Sequence, residues 1–321
     1  MTSKELAERQ AWSLTQKIDH AIGTIEAFIN RTEKTPYVSF SGGKDSTVLL
    51  DICRRFVNRD IKAVFDNTGN EFPEIVQFVR TVENVTIITP KLNIRQIIAN
   101  NGFPLISKET AHGIRQAKTT QSERLLEIRL YGNNPRKGFT SGKIPEKWQF
   151  LINAPFNVSE KCCDILKKRP FARYQRETGE LPIIGTMASE SRLRKQQYIL
   201  RGGCNSWKEN HLASYPLSIW TEADIWAYIH QFKIQICSIY NRQGCKRTGC
   251  MFCGFGAHLK KDSRFEMLYD LHPKFYKAFM RYENNGITYR EALRKIGVLL
   301  PDEVRQPKLN LIFDNDDSVG N

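Results

Sequence analysis

One stretch of the chain, YVSFSGGKDST at residues 37–47, restricts the fold more than any other. It reads as a short apolar strand, a turn of small residues and the start of an amphipathic helix, because apolar residues recur at helical spacing from Val48 to Phe56. The turn therefore lies at a helix N-terminus, where backbone N–H groups lack partners and the helix dipole adds positive charge. Its glycines, hydroxyls and lysine suit a phosphate chain. An ordinary strand-to-helix turn is the simpler interpretation, since glycine and serine are common in turns.

Strands that alternate with helices predict a parallel sheet. After the first strand, residues 61–66 form a second strand and residues 85–89 a third, with a helix between them. This order requires crossover connections and therefore an α/β fold with a mostly parallel sheet. Apolar segments at 181–184 and 213–217 extend the sheet to five strands. Ligands of such sheets bind at the carboxyl ends of the strands, so the phosphate-binding turn and DNTGNEFPE, after the second strand, should line one cleft.

Composition indicates a basic globular protein. The chain has 48 Lys and Arg against 34 Asp and Glu in 321 residues, a formal charge of +14. This charge favours polyanionic partners, nucleic acid first, although a protein that binds only a small anionic nucleotide could show the same composition. No stretch reaches the apolar length of a membrane span, and the first residues lack the apolar segment of a signal peptide. We therefore expect a cytoplasmic protein without a membrane partner, whose cysteines are thiols or metal ligands.

Two basic segments are candidate surfaces for an anionic partner. Residues 113–148, within an insertion at about 105–150, hold eight Lys or Arg against three Glu. Residues 161–201 hold ten Lys or Arg against four acidic residues. The insertion predicts a lid or a binding surface, and a solvated insertion whose aromatics pack locally is the alternative. Three aromatic side chains in it are available for stacking on bases: Tyr131, Phe139 and Trp148.

Four cysteines form a pattern typical of ligands. Cys162 and Cys163 are adjacent, and Cys250 and Cys253 form a CxxC more than eighty residues later. Together they make a four-thiolate set that suits a 4Fe-4S cluster, and zinc is the chemical alternative because four thiolates also bind it tetrahedrally. Cys245, five residues before Cys250, is an alternative ligand in place of one of the upstream pair. Buried free cysteines are the simplest interpretation.

The glycine-rich turn resembles a known nucleotide loop. GxxxxGKS or GxxxxGKT is absent, so this is not the common nucleotide loop. SGGKDS after a strand instead resembles the pyrophosphatase loop, or PP-loop, of the adenine nucleotide alpha-hydrolase superfamily. Members of that superfamily cleave ATP between its α- and β-phosphates, and the resemblance implies the same use of ATP here.

The motifs taken together resemble one family within that superfamily. SGGKDS, TGNEFPE, the CC pair, the Glu190-Ser191-Arg192 neighbourhood, YPLSIWTEADIWAYI and the late CxxC make residues 36–256 similar to the phosphoadenosine phosphosulfate (PAPS) reductase family in its broad sense. That family includes sulfonucleotide reductases, the ATP sulfurylase small subunit and the ATP pyrophosphatases of DNA phosphorothioation. The resemblance implies a Rossmann-like fold. In the adenylyl sulfate reductases of this family that carry a 4Fe-4S cluster, cysteines in the same CC and CxxC arrangement hold it. The resemblance therefore implies that the four cysteines of this chain hold such a cluster.

Two departures separate this chain from the reductases. Reductases usually carry a small residue and an acid where this chain has Gly43 and Lys44, because they bind an already activated nucleotide. Here the ATP-cleaving form of the loop is complete. Reductases also use a nucleophilic cysteine near the C-terminus, and no cysteine follows Cys253 in this sequence. A thiosulfonate mechanism therefore lacks its nucleophile.

The resemblance, with these departures, implies an ATP pyrophosphatase that adenylates an acceptor so that sulfur can replace oxygen. ATP, Mg²⁺ and the 4Fe-4S cluster are the implied cofactors. Nucleic acid is the expected acceptor, as in DNA phosphorothioation or tRNA thiolation, and the scheme admits a sulfur donor such as a cysteine desulfurase as a further partner. Two alternatives stay open: an adenylyl sulfate or phosphoadenylyl sulfate reductase of sulfate assimilation, and a non-catalytic iron–sulfur protein that binds nucleic acid.

Site residues and segment boundaries follow from the motifs. The predicted catalytic residues are Lys44, Asp45 and Arg192, with Arg192 as a contact for the substrate's anion. The predicted nucleotide-binding residues are Ser39, Ser41, Gly42, Gly43, Lys44, Asp45, Ser46, Asp66, Thr68 and Gly69. The predicted segments are an N-terminal helical segment at 1–35, the PP-loop domain at 36–256 and a helical C-terminal extension at 257–321.

Overall fold

The computed structural model describes residues 1–133, 141–242, 245, 248–259 and 263–304. The strands are β1 (Pro36–Phe40), β2 (Lys62–Asp66), β3 (Val85–Ile88), β4 (Leu105–Ile106), β5 (Leu181–Ile184), β6 (Asn205–Ser206), β7 (Ala213–Ser214), β8 (Gly254–Phe255), β9 (Glu283–Asn284) and β10 (Ile287–Thr288). The α-helices are α1 (Ser3–Gln10), α2 (Leu14–Thr32), α3 (Lys44–Ile52), α4 (Pro73–Thr81), α5 (Ile94–Asn101), α6 (Lys108–Thr119), α7 (Glu123–Tyr131), α8 (Glu146–Gln149), α9 (Lys161–Cys163), α10 (Arg169–Thr178), α11 (Arg192–Arg201), α12 (Glu222–Phe232), α13 (Arg264–Leu271), α14 (Pro273–Met280), α15 (Tyr289–Lys295) and α16 (Pro301–Val304). Phe139 and the chain from residue 305 onward lie outside the described residues.

A six-stranded sheet in the order β3-β2-β1-β5-β7-β6 forms the centre of the molecule. Its strand pairs are parallel except that β6 runs antiparallel to β7. The predicted α/β fold with a mostly parallel sheet is confirmed, and the five predicted strands are β1, β2, β3, β5 and β7. The predicted count of five is wrong by one. Strand β6 has only two residues, too few to show an alternating pattern in the sequence.

Three neighbouring strands place their following turns at one edge of the sheet. On one side of β1, Phe40 lies opposite Phe65 of β2. On the other side, Ser39 lies opposite Ile184 of β5. Because all three strands are parallel, the PP-loop after β1 lies between the turn after β2 and the turn after β5. This is the carboxyl edge, where parallel sheets bind ligands.

One apolar core runs through the N-terminal helices, the sheet and the C-terminal helices. It includes Ile25 of α2, Val38 of β1 and Leu293 of α15, all fully buried. A buried ion pair also ties α2 to α12, since Lys17 Nζ lies 2.6 Å from Asp224 Oδ2. Within the described ranges, no helix is both long enough and apolar enough to span a lipid bilayer.

The basic insertion is anchored on the core by its described residues. Ile114 of α6 is buried, together with Ile144 and Leu151 further along. Lys118 of α6 donates through its ammonium group to the Ala154 carbonyl at 2.7 Å. The insertion is therefore packed structure in its described part, and it abuts the segment that leads to α9.

A tight turn after α5 holds that same segment. Gly102 has a φ of +99°, and its N–H donates to the Ile98 carbonyl at 2.8 Å. The next residue, Phe103, donates its N–H to the Asn157 carbonyl, also at 2.8 Å. A Cβ at Gly102 would lie 2.2 Å from that carbonyl oxygen, so the turn requires glycine.

Replacement of Gly102 with alanine is expected to lower the free energy of unfolding by about 3 kcal/mol or more, because a backbone clash adds to the strain of positive φ. Gly179→Ala is the matched control. Gly179 has a φ of +72°, but nothing lies within 4 Å of its Cβ position. Strain alone should cost this control about 1 kcal/mol. Urea unfolding followed by circular dichroism measures both variants. Equal losses would show that the close contact with Asn157 has no energetic effect.

Candidate functional site

Hydroxyl groups of α3 hold the PP-loop in place from beneath. Ser46 Oγ and Thr47 Oγ1 donate to the Gly43 carbonyl at 2.9 and 3.0 Å. The Ser41 N–H in turn donates to Ser46 Oγ at 3.2 Å. These side chains thus fold back on the loop that precedes them, as Ser and Thr do at helix N-termini. Ser46, predicted as a phosphate contact, shapes the loop in this structure.

Gly42 and Gly43 have different structural roles in the loop. Gly42 has a φ of +69°, and a Cβ there would lie 2.9 Å from side-chain carbons of Ile75 and Val79 on α4. The loop can therefore pack against α4 only without a side chain at this position. Gly43 is the N-cap of α3 and supplies no side-chain hydrogen bond to the helix. First-turn N–H groups consequently need partners from elsewhere in the fold or from an anion.

Lys44 is buried at the N-terminus of α3 with 2% of its surface exposed. Its Nζ donates to Asp45 Oδ1 at 2.9 Å and lies 3.7 Å from Glu222 Oε1 of α12. Burial and these two carboxylates hold the ammonium group beside the loop. A cation removed from bulk water acts on neighbouring charge far more strongly than an exposed one.

Two hydroxyl groups from a distant segment contact the loop, and no sequence pattern indicated them. Tyr240 Oη accepts a hydrogen bond from the Lys44 N–H at 3.0 Å and lies 3.1 Å from Thr248 Oγ1. A Cβ at Gly43 would lie 2.9 Å from Thr248 Oγ1 and 3.2 Å from Tyr240 Oη. Glycine at position 43 therefore leaves room for the two hydroxyl groups. They lie at the Lys44 N–H, which is suited to bind a phosphate oxygen.

A cleft in two parts opens at the loop. One cavity, of about 340 Å³, is lined by Lys44 and Asp45 together with Glu190. The other, of about 190 Å³, lies on the β2 side. Both include Ser39, Ser41 and Thr248, so they meet at the loop. The smaller cavity is lined largely by aromatic and ionisable side chains: Phe40, Phe65, Asp66, Glu71, Lys167 and Phe171.

Asp66, at the end of β2, has the most unusual carboxyl group of the cleft. It is 7% exposed, and neither of its carboxyl oxygens has a hydrogen-bond partner among the described residues. Burial, helped by the nearby Glu71 carboxylate, raises the pKa of Asp66 to about 7, although Lys167 and Arg173 oppose the shift. An unpartnered buried carboxyl group that faces a cavity is suited to accept hydrogen bonds from a ligand.

Thr68 and Gly69 shape the turn after β2. The Thr68 hydroxyl donates to the Glu71 carboxylate at 2.9 Å, and Gly69 adopts a φ of +73°. Neither residue lines the described cavities. In this structure Thr68 orients Glu71, a cleft residue that the motif-based prediction did not single out.

Of the basic residues after Glu190, Arg194 faces the cleft. Arg194 lines the larger cavity and forms an ion pair with Glu190. Arg192, the predicted anion contact, is exposed and does not line the described cavities. Arg192 and Arg194 are two residues apart on α11, which separates their directions by about 200° around the helix axis. Only one of the two can therefore point into the cleft.

The four predicted ligand cysteines are near enough for the charge of one to shift the pKa of another. A hydrogen bond to Cys163, burial and the charges of Cys253 and Cys250 all raise the pKa of Cys162. The same hydrogen bond, together with Lys108 and Lys167, lowers the pKa of Cys163 to about 5. Within the described ranges, no group of three or more His, Cys, Asp or Glu side chains is placed to hold a single metal ion.

The donor set nevertheless fits the chemistry of an iron–sulfur cluster. Two thiols from α9 and two from the turn before β8 lie near enough for their charges to act on one another, and the cations Lys108, Lys167 and Arg264 act on them. A thiolate-ligated cluster carries net negative charge, which such cations stabilise. Burial, helped by the charges of Cys237 and Glu74 and opposed by Lys44, raises the pKa of Cys245, so groups on the PP-loop side act on this thiol.

Comparison with known proteins adds a family and several relatives. The sequence matches the family model of the phosphoadenosine phosphosulfate reductase domain over residues 35–111 and 106–254. An uncharacterized protein of Methanocaldococcus jannaschii is 25% identical over 73% of this chain and 39% of that protein. Sulfate adenylyltransferase subunit 2 of Mycolicibacterium vanbaalenii is 26% identical over 69% of this chain and 61% of the subunit. Adenosine 5'-phosphosulfate reductase of Burkholderia cepacia is 29% identical over 33% of this chain and 41% of the reductase. Each match spans less than two thirds of the relative's length.

Asp66 is expected to make stability depend on pH. Its pKa of about 7 in the folded protein exceeds the unfolded value of about 3.9. Its contribution to stability is therefore complete below about pH 4 and is lost as the pH rises through about 7. The variant Asp66→Asn cannot ionise at this position. Its free energy of unfolding should exceed that of the wild type by on the order of 3 kcal/mol at pH 8 and equal it at pH 4.

Urea unfolding of the ligand-free protein at pH 4, 6 and 8 measures this difference. Asp60→Asn, at an exposed aspartate before β2, is the matched control and should track the wild type. A constant difference between Asp66→Asn and the wild type across the three pH values would contradict the proposed ionisation.

Proposed function

Because the chain belongs to the phosphoadenosine phosphosulfate reductase domain family, we propose that it is a PP-loop ATP pyrophosphatase that adenylates an acceptor so that sulfur can replace oxygen. The observation that carries the proposal is the buried Lys44 ammonium beside an intact loop of glycines and hydroxyls. A cation there stabilises the charge that develops as pyrophosphate leaves. The similarity to a sulfate adenylyltransferase subunit, whose name denotes adenylyl transfer, supports this choice.

The two cavities would divide ATP between them. The cavity with Phe171 suits adenosine, because a flat base packs on an aromatic ring and Phe171 is only partly buried. Asp66 would accept a hydrogen bond from the nucleoside, which favours its ionised form and offsets the cost of its burial. The cavity with Lys44 suits the phosphate chain. A phosphate oxygen at the Lys44 N–H would take the place that Tyr240 Oη has in the free protein.

Mg²⁺ fits the phosphate cavity. Asp45 and Glu190 supply carboxylate oxygens there, the ligands that Mg²⁺ prefers in nucleotide sites. The ion, when bound, would neutralise phosphate charge as a Lewis acid. Arg194, which is paired with Glu190 at the same cavity, would assist by contacting the substrate's anion. We assign this contact to Arg194 in preference to Arg192.

Cys162, Cys163, Cys250 and Cys253 are the proposed ligands of a 4Fe-4S cluster, with zinc as the alternative. The mutual influence of their charges and the surrounding cations support the cluster. When bound, it would hold or deliver sulfur, or brace the acceptor site. The ligand set that contains Cys245 is less favoured, because Cys245 lies with Cys237 near Lys44.

Nucleic acid is the proposed acceptor, and a cysteine desulfurase is a candidate sulfur donor. The formal charge of +14 supports a polyanionic acceptor, since phosphate contacts supply most of the sequence-independent affinity. A sulfonucleotide reductase is the second candidate function. It is favoured by the similarity to an adenosine 5'-phosphosulfate reductase, whereas Lys44 in a complete ATP-cleaving loop favours the pyrophosphatase.

Pyrophosphate release from ATP by anaerobically purified protein tests the proposed function. The rate is expected to rise when DNA or tRNA is added. Lys44→Ala should lower it by on the order of 100-fold, the usual effect of removing one preorganised electrostatic group. Lys34→Ala, at an exposed lysine before β1, is the matched control and should keep the wild-type rate.

Sulfite production from adenylyl sulfate without pyrophosphate release from ATP would replace this proposal with the reductase. Failure to turn over either substrate, combined with nucleic-acid binding, would indicate a non-catalytic binding protein. Equal rates for Lys44→Ala and the wild type would remove Lys44 from the mechanism.

Metal analysis of the anaerobic protein tests the cluster. About four iron atoms and four sulfides per chain are expected, and Cys250→Ser should lose them. Cys204→Ser, a buried cysteine of another region, is the control and should retain them. Loss of iron in Cys245→Ser would instead favour the alternative ligand set. Zinc in place of iron would contradict the cluster.

A further inference from the structure

A third cavity lies on the outer side of the helix that follows the cysteine pair. It measures about 470 Å³ and lies between α10 and the segment just after β3. Its lining includes four cationic residues, Lys91, Arg169, Arg173 and Arg176, and no carboxylate. None of the roles proposed for the PP-loop cleft or the cysteines involves this cavity.

The floor of this cavity is apolar and its rim is cationic. Leu92, Ile165 and Pro170 form apolar parts of the lining, and Ile165 and Pro170 are buried. Arg169 and Arg176 are exposed and lie about 10 Å apart along α10, given a rise of 1.5 Å per residue. An apolar floor below spaced guanidinium groups suits a flat base with phosphates on either side.

Hydrogen bonds hold two of the arginines in position. Arg173 donates through Nη2 to the Thr89 carbonyl at 2.8 Å, which holds its guanidinium beside the end of β3. Arg169 donates through Nε to Asp164 Oδ2 at 2.9 Å, so Asp164 partly offsets its charge. These planar, anchored groups match phosphate oxygens better than mobile lysines would.

The cavity is close to the nucleotide cleft. It opens where β3 ends, so it lies at the same carboxyl edge of the sheet as the PP-loop. Arg173, which lines it, also acts electrostatically on Asp66 in the adenosine cavity. Phe171 and Lys167 of the same continuous helical stretch face that cavity instead. One side of this helix therefore faces the nucleotide and another side faces the third cavity.

We propose that this cavity is the docking site for a single-stranded nucleic acid, with its phosphates on Arg169, Arg173, Arg176 and Lys91 and a base on the apolar floor. The proposal deepens the proposed function, because it rests on nucleic acid as the acceptor and states where the strand binds. The acidic side chains of a peptide would match the charges, but they have no flat apolar face to lie on the floor between them. The protein's excess of positive charge agrees with a strand that extends beyond the cavity.

Fluorescence anisotropy with labelled single-stranded DNA and RNA oligonucleotides, in the absence of ATP, tests the site. The double variant Arg169→Ala with Arg176→Ala should bind both on the order of tenfold more weakly at low salt. The slope of log Kd against log salt should fall by about 1.4, because each phosphate contact to a single strand contributes about 0.7. Lys34→Ala with Arg59→Ala, which removes equal charge from exposed positions beside the amino ends of β1 and β2, should bind like the wild type.

Several outcomes would overturn the site. These are wild-type affinity in the Arg169/Arg176 variant, an equal loss in the control variant, no oligonucleotide binding by the wild type, and displacement of the oligonucleotide by polyglutamate as effectively as by unlabelled strand. Lys91→Ala with Arg176→Ala provides a second variant that leaves the ion pair of Arg169 and Asp164 intact, should the first fold poorly. Because binding is measured without ATP, a wild type that binds oligonucleotide but releases no pyrophosphate would refute the pyrophosphatase and leave the docking site standing.

Discussion

The packing of the PP-loop against α4 at Gly42 is the contact on which the rest of the site depends. A side chain at this position would overlap Ile75 and Val79, so the loop lies close to α4 only as bare backbone. This contact lets α3 begin at Lys44, with its N-terminus at the carboxyl edge of the sheet. The parallel pairing of β1 with β2 places Asp66 beside the loop. The strand pairing and the close approach at Gly42 together position the two halves of the cleft.

The chain between α12 and β8 joins the phosphate site to the cysteines. Tyr240 and Thr248 contact the PP-loop, and Cys250 follows Thr248 by two residues. Between Cys250 and Cys253, the Met251 N–H donates to the carbonyl of Asn70, in the turn after β2, at 2.8 Å. The segment from Thr248 to Cys253 therefore contacts both the PP-loop and the turn after β2, and it carries the CxxC.

Lys167 provides an electrostatic link between the same two regions. It lines the adenosine cavity and lies 3.7 Å from Glu71. Burial disfavours its charge, but the charges of Cys250, Glu71 and Cys163 outweigh burial and raise the pKa of Lys167. A cation between the smaller cavity and the cysteines stabilises negative charge on either side. The helical stretch that carries Lys167 contains a π-helical turn at Asp164–Lys168, a feature frequent at functional sites.

Local patterns in the sequence determined the type of sheet, and they also predicted the phosphate loop and the four candidate ligand cysteines as a set. Strand β1 and helix α3 were predictable because apolar spacing and glycine placement act over a few residues. The capping box from Thr221 to Asp224 at the start of α12 is another feature that acts over a few residues. Strand β6 was not predictable, because its two residues, Asn205 and Ser206, are polar and give no apolar signal.

Tertiary structure alone decided which side chains complete the cleft. Tyr240 reaches Lys44 across almost two hundred residues, and no local spacing encodes such a contact. The choice of Arg194 over Arg192 depended on how α11 is rotated against the sheet, which its sequence does not state. The raised pKa of Asp66 likewise comes from burial by neighbours that are distant in the chain. Sequence thus specified the chemistry that was available, and packing between remote segments decided which groups meet.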